Sequence, residues 1–574
     1  MTPRRHAVRR ASVLPLVGAV VLLAAGCAPM LPTDGPVGTS EPDRGAEAAG
    51  PDPVPPRPEM GPESIVEGFM QAGVGWQDDY AVAREYMDAD AARQWQPGER
   101  TVVYSSDLTT LASGEDSYTV QLEVDSVVDA NGIRTHYPED QTDEFEFTVE
   151  EIDGQWRITE APPGKLLDVT QFASAYQERT LYFYDPQEHY AVPDLRWFVD
   201  RPAEPSEIMS TLLEGAADYL EPAVHSAFPE GTVLERTAVP VDEGVASVDL
   251  SPEHVAGADE QERRLMQHQA ELVLSQVDGV EQVDVTVGES ELELPEEGGT
   301  EALDISVDPQ VRSTLVGVLD DTLMHVEGQN ELSISGLPDI SDLEPQKPAM
   351  SEEASEVYSF LDGEAEELYH LRSERDPDLV YEGEELIRPS MDNFGWTWTV
   401  DNGGDSASVQ AVAHDESLEP NLSEVSADWL EDREVTSLRV AQDGTRAAMV
   451  IDDGGERRLQ IAGIIRDSEG VPQGLGEPTL VQTSVDLEEV RWESSTSLVV
   501  WANAEDDSMQ IQRIGLDGEA EEVNSVLAGL QNVAVGEGQD QIYAETVDSA
   551  QYVSLTEQWH SQEEMSIRDL AYAG

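Results

Sequence analysis

Cys27 is the single cysteine in a chain of 574 residues. It forms no disulfide within the chain and builds no cysteine-based zinc site. What is left to it is attack by the thiolate on an electrophile, and its place suits one such reaction, because it follows Ala24, Ala25 and Gly26 at the end of a short apolar run. Elsewhere the sequence offers little chemistry. It holds no Gly-x-Ser-x-Gly elbow, Walker loop, dinucleotide fingerprint or His-Glu-x-x-His. His254 and His268 flank a helical pattern without metal-ligand spacing and read as surface histidines. The acidic clusters Asp320-Asp321, Glu352-Glu353, Asp452-Asp453 and Glu505-Asp506-Asp507 lack the Gly and terminal Glu of a calcium loop and read as solvated loops. A carboxylate pair for glycoside cleavage can be drawn from any chain this acidic, and the spacing singles out none. No metal site and no cofactor is therefore expected. Phe394, Trp396 and Trp398 stand apart: at period two they share one face of a strand. They either pack between sheets or form a contact platform for a sugar or a protein.

The flanks of Cys27 define its chemistry further. Arg4, Arg5, Arg9 and Arg10 precede the apolar residues 13–25, a run shorter than the ~20 residues a membrane span needs. A basic start, a short apolar core and small residues read as a signal peptide over residues 1–26. The stretch resembles a bacterial lipobox, which has an aliphatic residue, two small residues and then Cys. Here Leu23 sits one place early and Ala24 takes its slot. The expectation is cleavage before Cys27, with S-diacylglycerol and N-acyl groups on it, since several acyl chains anchor stably where one is marginal. An ordinary signal peptide with an incidental Cys27 is the other reading. Arg9-Arg10 reads as an ordinary basic n-region, with a twin-arginine export signal as the alternative.

The net charge is −86, from 118 acidic and 32 basic residues. Such a surface repels nucleic acid and anionic headgroups, so no nucleic acid partner is expected and the bilayer is met through the acyl anchor only. The charge is spread along the whole chain, as in a protein kept soluble in salt; binding of ions or of a basic partner is the alternative. Apolar residues make up 39%, with 16 Tyr, 10 Trp and 9 Phe, enough for packed cores.

The elements that would carry these residues fall into blocks. Residues 27–61 form a Pro-, Gly- and acid-rich tether with PDPVPPRP at 51–58. Residues 62–165 read as an α+β domain: helices over 65–70 and 80–87, then strands over 101–104, 118–127, 144–149 and 155–158. Tyr118, Val120, Leu122 and Val124 alternate, and Asp153-Gly154 marks a hairpin. Residues 170–295 read as a second α+β domain in β-α-β-β-α-β order, with paired strands over 233–241 and 244–250 and a helix over 260–276. Residues 300–574 show no long helix pattern. Strand-turn-strand signals recur there every 40–55 residues, around 311–326, 356–371, 394–400, 436–450, 490–501 and 532–546. That spacing predicts a β-propeller, with a β-sandwich as the alternative.

Several motifs carry a family resemblance. LRVAQDGTRAAMV at 438–450 resembles the Asp-Gly hairpin of TolB-like and WD40-like propellers, with Gln442 where Pro is usual. RTLYFYDP at 179–186, VPD at 192–194, LLEG at 212–215 and VASVDL at 245–250 resemble a GerMN domain, with Ala216 where Pro is usual. In this order, behind a lipobox and tether, the chain resembles the LpqB family of actinobacterial lipoproteins. The resemblance implies a lipid-anchored protein on the extracytoplasmic face of the cell membrane. It further implies a non-enzymatic accessory role, binding the ectodomain of an MtrB-like sensor histidine kinase of the MtrA–MtrB type and affecting envelope homeostasis. A wall-active enzyme such as a propeller glycosidase is the alternative.

Overall fold

The computed structural model describes residues 53–574 apart from 106–107, 115, 138–140, 293, 295–298, 329, 353–356, 405, 419–420, 484–486, 502–510, 524–526, 528, 537–540, 548–550, 556–557 and 563–564. The signal peptide, Cys27, the tether up to residue 52, Glu353 and residues 505–507 lie outside the described residues. Ala48–Gly574 form one compact unit.

The first module is α+β. Pro62–Ala72 opens with its proline in the first turn and buries Ile65, Val66, Phe69 and Met70, spaced to line one helical face. Gln77–Glu85 and Ala89–Gln94 follow, the latter capped by Asp88, whose carboxylate accepts from the Asp90 and Ala91 N–H groups. These helices cover a sheet in the order Gln155–Glu160, Thr142–Ile152, Ser117–Asp129, Arg100–Tyr104, Lys165–Asp168, the last pair parallel. Arg134–His136 and Thr109–Ala112 add to the long strand Ser117–Asp129. The alternation holds: Val120, Leu122 and Val124 are buried and Gln121 is exposed. Asp153 (φ 54°) and Gly154 (φ 80°) make the expected tight turn.

Asp168 caps the short helix Val169–Ala175 in a capping box with Gln171, and the second module begins directly after it. Tyr176–Tyr184 pairs with Ala191–Val199 along its whole length. The second of these strands is longer than the sequence suggests, because Pro193 lacks a donor yet is tolerated in a two-stranded sheet. Glu204–Glu214 and Glu260–Leu274 pack on this hairpin and on the parallel pair Val245–Leu250 and Gln282–Val287. The expected strand over 233–241 shrinks to Val241–Asp242, with one further bridge from Leu234 to Leu250.

From Leu315 onward the regular structure of the described residues is almost entirely strand, in six sheets that form the propeller blades. Blade 1 joins Leu315–Leu319, Thr322–Glu327 and Asn330–Ser333 to the last strand, Arg568–Ala571. Blade 2 runs from Gln346–Met350 to Asp378–Glu382, blade 3 from Ser390–Met391 to Leu422–Val425 and blade 4 from Glu434–Val440 to Pro472–Leu475, with Thr479–Val481 added. Blade 5 runs from Glu489–Trp492 to Ala520–Val523, and blade 6 from Leu530–Val535 to Gln558–Ser561. The innermost strands touch in a closed ring, with Arg568–Ala571 seated between those of blades 2 and 6. This is the expected order of two α+β domains and a propeller, and the propeller has six blades among the described residues.

Candidate functional site

Phe394, Trp396 and Trp398 do not share a surface. Trp396 and Trp398 lie in the strand Trp396–Asp401 and are fully buried. The platform reading is corrected for them: a blade is covered by a neighbour on both faces, so period-two spacing picks out a face without exposing it. The Trp398 indole N–H donates to Asp392 Oδ2 at 2.8 Å, and Arg466 Nη2 donates to the same oxygen at 2.5 Å with both side chains fully buried. Phe394 sits in the turn before the strand. Arg466 lies 4.7 Å over its ring, and the Gly444 Cα presses on it so closely that a Cβ there would clash.

The other side of Phe394 meets the second module. His189 stacks on it with centroids 6.1 Å apart and Tyr190 meets it edge-on at 5.7 Å. Asp185 shapes that turn, its Oδ1 accepting from the His189 and Tyr190 N–H groups. The aromatic that reaches a protein surface therefore reaches one in its own chain.

A second contact lies on blade 4. Gly463 N–H donates to Tyr219 O at 3.0 Å. A Cβ at Gly463 would fall 2.6 Å from that oxygen and 2.8 Å from Ala223 Cβ, so only glycine admits the approach.

A third contact joins the first module to blade 5. His136 N–H donates to Asp517 O at 3.0 Å. The Arg134 guanidinium is held between the rings of Phe172, at 4.9 Å, and Trp197, at 4.7 Å. Its Nη1 lies 3.6 Å from Asp517 Oδ2 and 3.2 Å from Glu519 Oε2, and its Nη2 lies 3.5 Å from Asp125 Oδ2. Burial, then Arg134, pushes the His136 imidazole below its ordinary value, against the pull of Asp517, Asp125 and Glu519. A cavity of about 510 Å³ opens here, lined by residues of the first module, the helix Val169–Ala175, the second module and blade 5. His136, Asp517 and Glu519 bring one ligand atom each within 4.8 Å of one another. Arg134 already supplies the positive charge those carboxylates require, so the group answers to an ion pair. Arg134 and Glu519 are 385 residues apart in sequence, and no local pattern joins them.

Two further histidines are structural. His370 Nε2 and His414 Nδ1 flank Thr397 Oγ1 at 3.0 and 3.2 Å; burial pushes them down to about 3 and about 4, so both rings are neutral near pH 7. His254 is exposed, but His268 is half-buried and bonded to Tyr184 Oη at 2.8 Å, which corrects its reading as a surface residue. Asp320 and Asp321 form a hairpin turn between the first two strands of blade 1, and Asp452 and Asp453 pair with Arg457 and Arg433.

These contacts define the class: a multi-module protein in which two α+β modules are clamped to blades 3, 4 and 5 of a six-bladed propeller. Family models match it in the same order. The N-terminal domain of lipoprotein LpqB matches residues 55–173, the sporulation and spore germination domain matches 180–293, and the LpqB beta-propeller domain matches 321–568. Lipoprotein LpqB of Cutibacterium acnes is 27% identical over 454 residues, 77% of this chain and 73% of that one. Lipoprotein LpqB of Streptomyces coelicolor is 28% identical over 583 residues, 91% of each chain. Among solved structures, the tandem GerMN domains of the sporulation protein GerM from Bacillus subtilis overlay with a TM-score of 0.19 and 19% identity, covering 33% of this chain and 62% of that one. The chain belongs to the LpqB lipoprotein family.

Proposed function

We propose that this lipoprotein is an accessory subunit on the extracytoplasmic face of the cell membrane, held there by acyl groups on Cys27. In this reading it binds the ectodomain of an MtrB-like sensor histidine kinase and tunes signalling that maintains the envelope. The observation that carries the reading is the clamp. Modules fixed to one another by a buried aromatic corner, a glycine contact and an arginine sandwich present one body to a partner, as a contact protein requires. No helix among the described residues is long and apolar enough to cross a membrane, and Cys27 supplies the attachment in this reading. The acidic surface keeps that body off anionic lipid.

Crosslinking on intact cells tests the partner. Wild-type chain is expected to capture the kinase ectodomain, and Cys27→Ser to move the protein out of the membrane fraction and lose the capture. Crosslinks that repeatedly lack the kinase while retaining other membrane proteins would overturn the reading.

A further inference from the structure

The chain has only two lysines, Lys165 and Lys347, against 118 acidic residues. Yet the axis of the propeller gathers cations. Arg388, Arg439 and Arg491 line one partly open space at the centre of the ring, together with Ala534, Ala571, Tyr572 and Gly574. They stand on or beside the innermost strands of blades 3, 4 and 5, and Lys347 stands on that of blade 2. The carboxylates that face these groups are Glu489, Asp569 and, beside Asp569 and Arg388, Glu545. Four cations thus meet three anions, inside a protein whose net charge is −86.

The hydrogen bonds leave the imbalance open. Arg439 Nη1 is tied to Leu438 O at 2.7 Å, Arg388 O at 3.0 Å and Pro389 O at 3.3 Å. Its Nη2 is buried without a hydrogen-bond partner among the described residues; the nearest acid, Glu489 Oε2, is 3.9 Å away, and the side chain is 7% exposed. Arg491 Nη2 holds Glu489 at 2.6 Å. Arg388 reaches Asp569 Oδ1 at 3.2 Å, and its Nε is buried without a partner. Burial and the neighbouring Arg491 push the Arg439 guanidinium well below its ordinary range, while Arg491, Arg388 and Arg439 draw Glu489 down to about 2 against the effect of burial. An arginine does not relieve such a cluster by losing its proton, and buried uncompensated charge is costly. An anion relieves it.

We propose that the axis of the propeller is a binding site for a small oxyanion, a phosphate or carboxylate group, held by the forks of Arg388, Arg439 and Arg491. The planar guanidinium matches both groups through paired N–H donors. The space is about 40 Å³, several-fold the ~10–15 Å³ that admits one water. It fits an ion or the head of a small molecule, and excludes a polymer chain.

Isothermal titration of the full chain with sodium phosphate, sodium acetate and sodium chloride, each at constant ionic strength, tests the site. A saturable one-site isotherm with phosphate or acetate by ~10 mM, a range that fills millimolar sites, is the expected result, and which of the two binds more tightly names the oxyanion. Arg439→Gln is expected to weaken it by about tenfold or more, the loss of a charge-assisted bond. Arg439 also anchors three carbonyls, so Arg491→Lys serves as a second variant: it keeps the charge and loses the fork, with a similar weakening expected. No saturable heat with either oxyanion, equal binding of chloride, or wild-type affinity in Arg491→Lys would each overturn the proposal.

Discussion

Arg134 and Arg439 are both buried guanidiniums, and their surroundings differ in sign. Arg134 faces three carboxylates and two aromatic rings. Arg439 faces other cations and backbone oxygens, with one carboxylate at 3.9 Å. Acid is abundant everywhere on this chain, so a scarce arginine at the seam finds its partners at no cost in design. An arginine placed where acid has been withheld marks a position that something else must complete. Between modules, then, electrostatics closes the structure; at the axis it leaves the structure open.

The comparison can be broken in several places. Asp392 accepts from Arg466, Trp398, Phe394 and Trp396. Asp392→Ala strands a fully buried guanidinium, and guanidinium-chloride denaturation should show a loss of about 3–5 kcal/mol; a loss under ~1 kcal/mol would mean the corner beneath Phe394 does not depend on its paired charges. Gly463→Ala drives a methyl into Tyr219 O and Ala223, for about 1–3 kcal/mol, and calorimetry should separate the α+β modules from the propeller as two transitions. Arg134→Ala removes the sandwich and leaves Asp125, Asp517 and Glu519 facing one another. It should cost about 1–2 kcal/mol, and added salt should recover part of that by screening the acids. His414 tests burial without pairing. Its folded pKa, about 4, lies below the ordinary 6.5, so the unfolded chain takes up the proton first. Stability from this ring is complete above pH 6.5 and falls by about 1.4 kcal/mol per pH unit as pH drops toward 4; His414→Gln should lack that increment in a pH series of unfolding free energies. Arg93 pairs with Asp90 at side-chain exposures of 70% and 72%, and Arg93→Ala should change stability by less than about 0.5 kcal/mol.

Local chemistry was readable from the sequence and long-range chemistry was not. Val120, Leu122 and Val124 announce a half-buried strand because their neighbours see only two faces; Asp153-Gly154 announces a turn because both residues tolerate positive φ, and Asp443-Gly444 because Gly444 does. The recurrence of strand-turn-strand units pointed to blades. The burial of Trp396 and Trp398 on a strand whose both faces are covered did not follow from alternation, which distinguishes faces and not what lies beyond them. Nothing near Arg134 foretells Asp517 or Glu519, and nothing near Arg388 foretells Arg439 and Arg491. Those meetings depend on each of the six blades advancing the chain by about a sixth of a turn of the ring. Cys27 was read from its flanks alone and lies outside the described residues.

The strand Arg568–Ala571 completes blade 1 by lying against Leu315–Leu319, some 250 residues earlier. Until it arrives, that blade has a bare edge whose amide and carbonyl groups can recruit another strand, and the ring has a gap. Contacts so distant in sequence close slowly, since the loop entropy is met before the contact rewards it. The propeller is therefore a clock as well as a platform. It cannot become a ring before its last strand is available, and in that interval the unclosed blade is the part of the molecule most open to aggregation, proteolysis and chaperone capture.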